Sequence, residues 1–360
     1  MIPLLYSDKH HLHAPRVEFY HDKVLNYPEV PARAEIIKDH LLGTGLVALL
    51  EPQTTLPRQA LLKVHDEGMI AHLENIESEI RRRVGSETGT HYQLQDGDLY
   101  LYPSVFSARS FMMRLKDSPI GKNGYYFFDN GAPLGKGSWA AILSSASLAY
   151  EGAALLMRGE AKVAYALCRP PGHHAGRDFM GGYCYINNAA VAGSHLMQMG
   201  RVALLDIDYH HGNGSQAIFW DEPQVFFASI HGHPAEEYPY YSGYADETGG
   251  ATAPNGNFNI PLSGRVSSQQ FLAAFAQVLD RTKAFHPSAV VLSLGFDTYQ
   301  GDPLSPFQVT PEAYRQVGQM LMELNLPVLI IQEGGYQVEA LGKLAEQVLR
   351  GITGAISPSK

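Results

Sequence analysis

The chain has 360 residues, 45% of them hydrophobic and 18% charged, with a formal net charge of -9. This is the composition of a soluble globular enzyme rather than a disordered chain, and its acidic balance argues against a nucleic-acid partner. No apolar run reaches the roughly 18 residues of a membrane span, so no membrane partner is expected either.

In chain order, the N-terminal MIPLLYSDKHHLHAPR is a short apolar start followed by charge. It lacks the parts of a signal peptide, and the cytoplasm is the expected compartment. His10, His11 and His13 belong either to the mouth of a site or to the surface. Helices are expected at 32–42 and 139–157. Between them, residues 86–123 are turn-rich, with Tyr100, Tyr102 and Phe106 among polar residues. A long irregular stretch of this kind is usually functional or an interface element. From residue 163 onward, apolar β-branched runs at 163–167, 202–205, 225–230, 289–294 and 327–332 alternate with helical patterns at 187–199, 268–284 and 311–324. That alternation predicts an α/β fold with a mainly parallel sheet and helices on both faces. No linker-like tract divides residues 1–360, so a single domain is expected. Cys168 and Cys184 are too few for a disulfide framework and are read as buried thiols.

Each of the five expected strands runs into a polar or glycine-rich cluster: CRPPGHHAG, DIDYHHGNG, HGHPAEEYP, GFDTYQGDP and EGGY. Ligands of open parallel sheets bind at the carboxyl ends of strands, so five such clusters mark an active site. In Asp206-Ile207-Asp208-Tyr209-His210, a period of two turns the two carboxylates and the imidazole one way. An Asp–His hydrogen-bonded turn would account for an isolated Asp-x-Asp. Together with Asp297 at another strand end, the set has the donors of a catalytic zinc site with an open position. His173 and His174 stand in a Pro/Gly-framed loop. A carboxylate beside one would favour its charged form and leave the other as a base near neutral pH; a second metal site or a solvated loop are the alternatives. In Glu333-Gly334-Gly335-Tyr336 the glycines are able to place a phenol over the metal, where it would donate to a developing oxyanion.

The motifs RPPGHHAG, GGYCYINNAAVA, LLDIDYHHGNGSQAIF, SLGFDT and QEGGY resemble those of the histone deacetylase superfamily, and within it the acetylpolyamine amidohydrolases. The resemblance continues upstream through PARAEII, LLKVHD and GYYFFDNGAPLGKGSW, over essentially the whole chain. It implies a single-domain arginase-deacetylase fold with an eight-stranded, mainly parallel sheet, and a zinc-dependent deacetylase acting on small acylated amines, acetylpolyamines foremost, through metal-activated water. It places one zinc on Asp208, His210 and Asp297, makes His174 the general base and later acid, and makes His173, paired with Asp206, an electrostatic partner. It assigns Tyr336 to the amide carbonyl, Tyr183, Tyr238 and Gly182 to the substrate channel, and Asp206 with Ser229 to a structural potassium ion. Asn213 stands where class I histone deacetylases carry Asp and class II and polyamine enzymes carry Asn. The segment near 86–124 resembles the insertion through which the polyamine enzymes dimerise and narrow their mouths, so a homodimer is implied.

One departure concerns the acids that receive a cationic substrate tail: the corresponding positions are Ile120 and Gly131. Asp129, Glu236 and Glu237 are the candidates to replace them. An acyl-lysine deacylase is the alternative within the same chemistry. An arginase-like two-manganese hydrolase and a catalytically silent acylamine-binding protein are more distant readings, and the His173–His174 pair and the complete set with Tyr336 argue against them. Iron or cobalt can replace zinc at such a site.

Overall fold

The apolar runs of the second half make the centre of one parallel sheet. In the computed structural model, which describes residues 1–20, 23–84, 92–93, 99–103, 105–107 and 119–356, the sheet has eight strands: β1 (Ile2–Leu5), β4 (Val47–Leu50), β8 (Val163–Ala166), β9 (Val202–Asp206), β10 (Val225–Gly232), β11 (Asn257–Leu262), β12 (Ala289–Leu294) and β13 (Val328–Gln332). Their spatial order is β11-β10-β9-β12-β13-β8-β1-β4, and every ladder is parallel. Short strands form two further sheets, β2 (Val17–Tyr20) with β3 (Lys23–Asn26), and β5 (Tyr92–Gln93) with β6 (Leu99–Leu101) and β7 (Leu134–Gly135).

Strands buried on both faces divide their side chains between two cores. Along β12, Val290, Leu292 and Leu294 enter one core while Ala289 and Val291 enter the other. The first core is closed by helices Ala32–Thr44, Ser268–Phe285, Pro311–Met322 and Val338–Ile356, the second by Ser138–Met157 and Asn188–Leu196 among others. Local chemistry sets the helix starts. Ser267 and Gln270 form a capping box before Ser268–Phe285, and Pro311 opens its helix at the first turn. Helix Ser138–Met157 is long and apolar enough to cross a membrane by composition, but 72% of its apolar window is buried. It is a core helix.

The expected strands and helices of the second half are present within two residues or so at each end, except that the 187–199 helix finishes as a separate 3-10 turn, Met197–Met199. Strands β1, β4 and β11 escaped the sequence reading. Pro3 interrupts the β pattern of β1, and it is tolerated because β8 pairs only with Leu4 and Leu5. The NFNIPL segment of β11 carries two asparagines and a proline, which an edge strand accepts. Most of the 86–124 segment lies outside the described residues. Within it Tyr100 and Tyr102 are buried, and their hydroxyls bond the backbone at Ala14 and Val17.

The topology creates a switch point. From β8 the chain skips two places to β9, builds outward through β10 and β11, then returns to insert β12 and β13 beside β9. The carboxyl ends of β9, β12, β13 and β8 are therefore neighbours at a switch point, the place where open parallel sheets bind their ligands.

Leu292 is fully buried at the centre of the first core. Leu292→Ala is expected to cost about 3 kcal/mol, read as a lower urea midpoint at unchanged m-value; a loss under about 1 kcal/mol would show a looser core than the one described.

Candidate active site

Asp208, His210 and Asp297 converge. One donor atom from each lies within 4.8 Å of the others, and the two carboxylates are buried. His210 Nδ1 is 3.0 Å from Asp297 Oδ2 and 3.4 Å from Asp208 Oδ1. Backbone donors fix both acids: Asp208 accepts from His210 N–H at 2.9 Å and Gly334 N–H at 2.8 Å, and Asp297 accepts from Tyr209 N–H at 2.8 Å. Anchoring of this kind orients metal-ligating carboxylates. Gly334 is required for space, because a Cβ there would lie 2.6 Å from Asp208 Oδ2 and 2.7 Å from Asp297 Oδ2.

Electrostatics set the demand of this cluster. Burial and the adjacent Asp208 charge push the Asp297 carboxyl up to about 7. Burial opposes the charge on His210, but its bonds to Asp208 and Asp297 outweigh that and raise it to about 10. A buried N/O donor set with excess negative charge fits a divalent cation of the zinc type.

The histidine pair stands beside it, ring centroids 3.9 Å apart. His173 Nδ1 is 3.0 Å from Asp206 Oδ2, and its Nε2 is 3.7 Å from Asp208 Oδ1. Burial disfavours its charge, yet Asp208, Asp206 and Glu333 raise it to about 10. His174 Nδ1 is 2.8 Å from Asn213 Oδ1. Burial, then the neighbouring His173 and His210, hold it well below the ordinary imidazole value. The two rings thus differ in charge at neutral pH.

Tyr336 is placed by its backbone, whose N–H donates to Asp302 Oδ2 at 2.6 Å. Gly335, at φ 115°, makes the turn that precedes it. The Arg33 guanidinium lies 5.0 Å from the Tyr336 ring centroid and donates to the carbonyls of Gly335 and Glu333, each at 2.6 Å. Tyr183 faces Tyr336 at 5.8 Å, while Tyr238 lies edge-on to His174 at 5.0 Å. Gly182 (φ 53°) and Tyr183 (φ 66°) share left-handed backbone, and a Cβ on Gly182 would meet His174 Cδ2 at 2.5 Å.

Ser229 lies opposite Asp206 across the β9–β10 ladder, and its Oγ pairs with His231 Nδ1 at 2.8 Å. Of the acids considered for a cationic tail, Asp129 is engaged elsewhere: it accepts from Tyr238 O–H at 2.6 Å, Gly182 N–H at 2.9 Å and Gly131 N–H at 2.8 Å. It braces Tyr238 and the Gly182 turn. Glu236 is exposed and Glu237 half-buried after β10. The N-terminal histidines divide: His13 is buried against Ser138 and Tyr185, while buried His10 and half-exposed His11 meet at Glu35.

Sequence reasoning missed the supports. Glu18, in β2, accepts from Tyr183 O–H at 2.7 Å. Asp302 lies in the GFDTYQGDP cluster and Arg33 in PARAEII, so both were in view without an assigned part. The Glu333 carboxylate accepts from Gly172 N–H at 2.7 Å and His173 N–H at 3.2 Å, holding the histidine loop.

The Histone deacetylase domain family matches residues 27–352. The chain belongs to the histone deacetylase family. Among its relatives in that family, acetylpolyamine amidohydrolase 1 of Pseudomonas aeruginosa is 41% identical over 98% of this chain and 99% of its own length. The acetylpolyamine amidohydrolase of Mycoplana ramosa is 36% identical over 98% and 99%. The crystal structure of acetylpolyamine aminohydrolase from Burkholderia pseudomallei superposes with a TM-score of 0.90 at 33% identity, covering 99% of both chains. Family membership at this level carries the α/β deacetylase fold and a hydrolase of the deacetylase type.

The histidine loop also depends on His65, which is buried. Its Nδ1–H donates to Gly176 O at 2.8 Å and its Nε2 accepts from Asn187 N–H at 3.0 Å, so the ring is neutral. Burial draws its pKa down to about 4. The unfolded chain takes up this proton near pH 6.5 and the folded chain only near 4, so the unfolded state binds more protons in between. Stability is therefore expected to fall as pH drops from about 6.5 to 4, by up to about 1.4 kcal/mol per pH unit from this group. Denaturation midpoints over that range should decline less steeply in His65→Asn than in wild type; parallel declines would remove His65 from the explanation.

Proposed function

We propose that the chain is a zinc-dependent amidohydrolase that deacetylates small acylated amines, acetylpolyamines first among them. The observation that carries the reading is the convergence of Asp208, His210 and Asp297 beside two histidines, one cationic and one neutral. The full-length relatives named for acetylpolyamines supply the substrate class.

Asp208, His210 and Asp297 are the residues that would hold zinc, and the donor set suits it. Zinc bound there supplies Lewis acidity toward a carbonyl oxygen and makes water a better acid. His174 takes the proton of the attacking water. Because the Asn213 amide oxygen only accepts, His174 Nδ1 carries a hydrogen and Nε2 keeps a free lone pair. The neutral state imposed by burial keeps that lone pair available, and the same nitrogen returns the proton to the leaving amine. His173 stays cationic between Asp206 and Asp208 and favours negative charge developing on the substrate. The Tyr336 phenol, kept protonated by burial, donates to the developing oxyanion. Tyr183 and Tyr238 face a slender acyl-amide arm, each with its hydroxyl pinned by an acid, Glu18 or Asp129. We assign a structural potassium ion to the Asp206–Ser229 step, and homodimerisation to the 86–124 segment, on the family resemblance.

A second reading, an acyl-lysine deacylase, gains from one observation. With Gly131 in place of an acid and Asp129 bound to Tyr238 and the Gly182 turn, these positions offer no free carboxylate for a diamine tail.

Steady-state hydrolysis of acetylputrescine, acetylcadaverine, acetylspermidine and an acetyl-lysine peptide by zinc-loaded protein separates the two. Higher kcat/KM on the acetylpolyamines is expected, and preference for the peptide would move the chain to the second reading. Tyr336→Phe is expected to lower kcat by about a hundredfold or more; near-normal turnover would remove Tyr336 from the oxyanion site. His174→Ala should be more damaging than His173→Ala, and the reverse ranking would exchange their roles.

A further inference from the structure

A second set of metal-ligating atoms gathers at the N-terminal turn, away from the catalytic ligands. Asp8–Leu12 forms a 3-10 turn capped by Ser7, and its two histidines meet Glu35 in the first turn of helix Ala32–Thr44. His10 Nε2 lies 2.8 Å and His11 Nε2 3.0 Å from the same carboxylate oxygen, Glu35 Oε1. The rings sit side by side, centroids 4.1 Å apart and planes 32° from parallel, and the three donor atoms fall within 4.8 Å of one another. We propose that His10, His11 and Glu35 form a second divalent-metal site, for a zinc-type transition ion.

Two imidazole nitrogens and a carboxylate oxygen are the donors such ions take, with water filling the remaining position. Each ligand is held before an ion arrives. Glu35 Oε2 accepts from Lys38 Nζ at 2.6 Å, so Oε1 is turned toward the histidines, and the Tyr6 hydroxyl bonds Oε1 as well. Lys38 brings a positive charge close to the site, but Asp39, 3.3 Å from its ammonium, offsets it. The turn itself is anchored by Arg169, whose Nη1 donates to His10 O at 2.6 Å and His13 O at 2.8 Å. Ligand carboxylates braced by outer hydrogen bonds in this way are typical of metal sites. His10 Nε2 shares a hydrogen with Glu35 Oε1, and its buried Nδ1 has no hydrogen-bond partner among the described residues, so the hydrogen passes to Nδ1 and leaves the Nε2 lone pair to an ion. The His11 side chain is 51% exposed, which lets an ion reach the site from solvent.

An ion there takes no part in the proposed hydrolysis. It would stiffen the turn that Arg169 joins to the loop of His173 and His174.

The test is metal content, independent of activity. Chelator-stripped protein is titrated with zinc by calorimetry, and retained zinc per chain is measured after dialysis. Wild type is expected to bind two ions, and His11→Ala one, with hydrolysis retained. Asp297→Ala is expected to lose the other ion and keep the one at His10, His11 and Glu35. Glu35→Gln should weaken that ion by at least about tenfold. Equal zinc content and affinity in wild type, His11→Ala and Glu35→Gln would overturn the second site. If at the same time Asp297→Ala loses an ion, the catalytic ligand set stands while this site falls. If Asp297→Ala loses none while His11→Ala loses one, the second site stands and the catalytic reading falls.

Discussion

Asp208 and Asp297 are two carboxylates buried at the end of adjacent strands, and among the described residues their ion pairs are with histidines alone. Burying like charges together is costly unless a cation or a proton intervenes. Much of the surrounding structure is arranged to keep this cluster in place. Backbone N–H groups of Tyr209, His210 and Gly334 hold the acids, and two glycines clear the space that side chains would fill: at Gly295 a Cβ would lie 2.2 Å from Asp208 Oδ2. The parallel sheet supplies the rest, since its switch point brings the ends of β9, β12 and β13 together. A divalent ion is the partner this constraint asks for.

Around that cluster lies a scaffold made chiefly by N-terminal residues. Glu29 is fully buried and binds Arg33 at 2.8 Å and Arg169 at 2.9 Å. Arg33 passes the connection to the Glu333–Gly335 turn, and Arg169 to the turn at His10–His13. Charged groups in such numbers are retained in an interior only when their hydrogen bonds are nearly complete. Here they fix the loops from which His173, His174 and Tyr336 project. The groups proposed for catalysis are therefore held in place by residues outside the proposed site.

The sequence makes legible what depends on local pattern. The strands of the second half stand out because each is an unbroken apolar run, as in AVVLSL and VLIIQ. Asp208, His210, Asp297 and the His173–His174 pair stand out because polar residues at strand ends need a reason. What it hides depends on three-dimensional neighbours. Glu18 sits in a VEFY strand with the pattern of any solvent-facing acid, yet it packs against the Tyr183 hydroxyl 165 residues away. Asp129 looked like a free gate acid by its position in the chain, and only the fold shows it consumed by Tyr238, Gly182 and Gly131. Strands β1 and β11 carry prolines that argue against strands, and their places beside short or missing neighbours permit them.

The most direct test of the account is diffraction from zinc-soaked crystals at the zinc absorption edge, which locates the ion without reference to turnover. The expected result is an anomalous peak bonded by Asp208, His210 and Asp297, with Tyr336 facing it across the channel. A peak bonded instead by His173, or none within reach of the Asp208 and Asp297 carboxylates, would contradict the central claim.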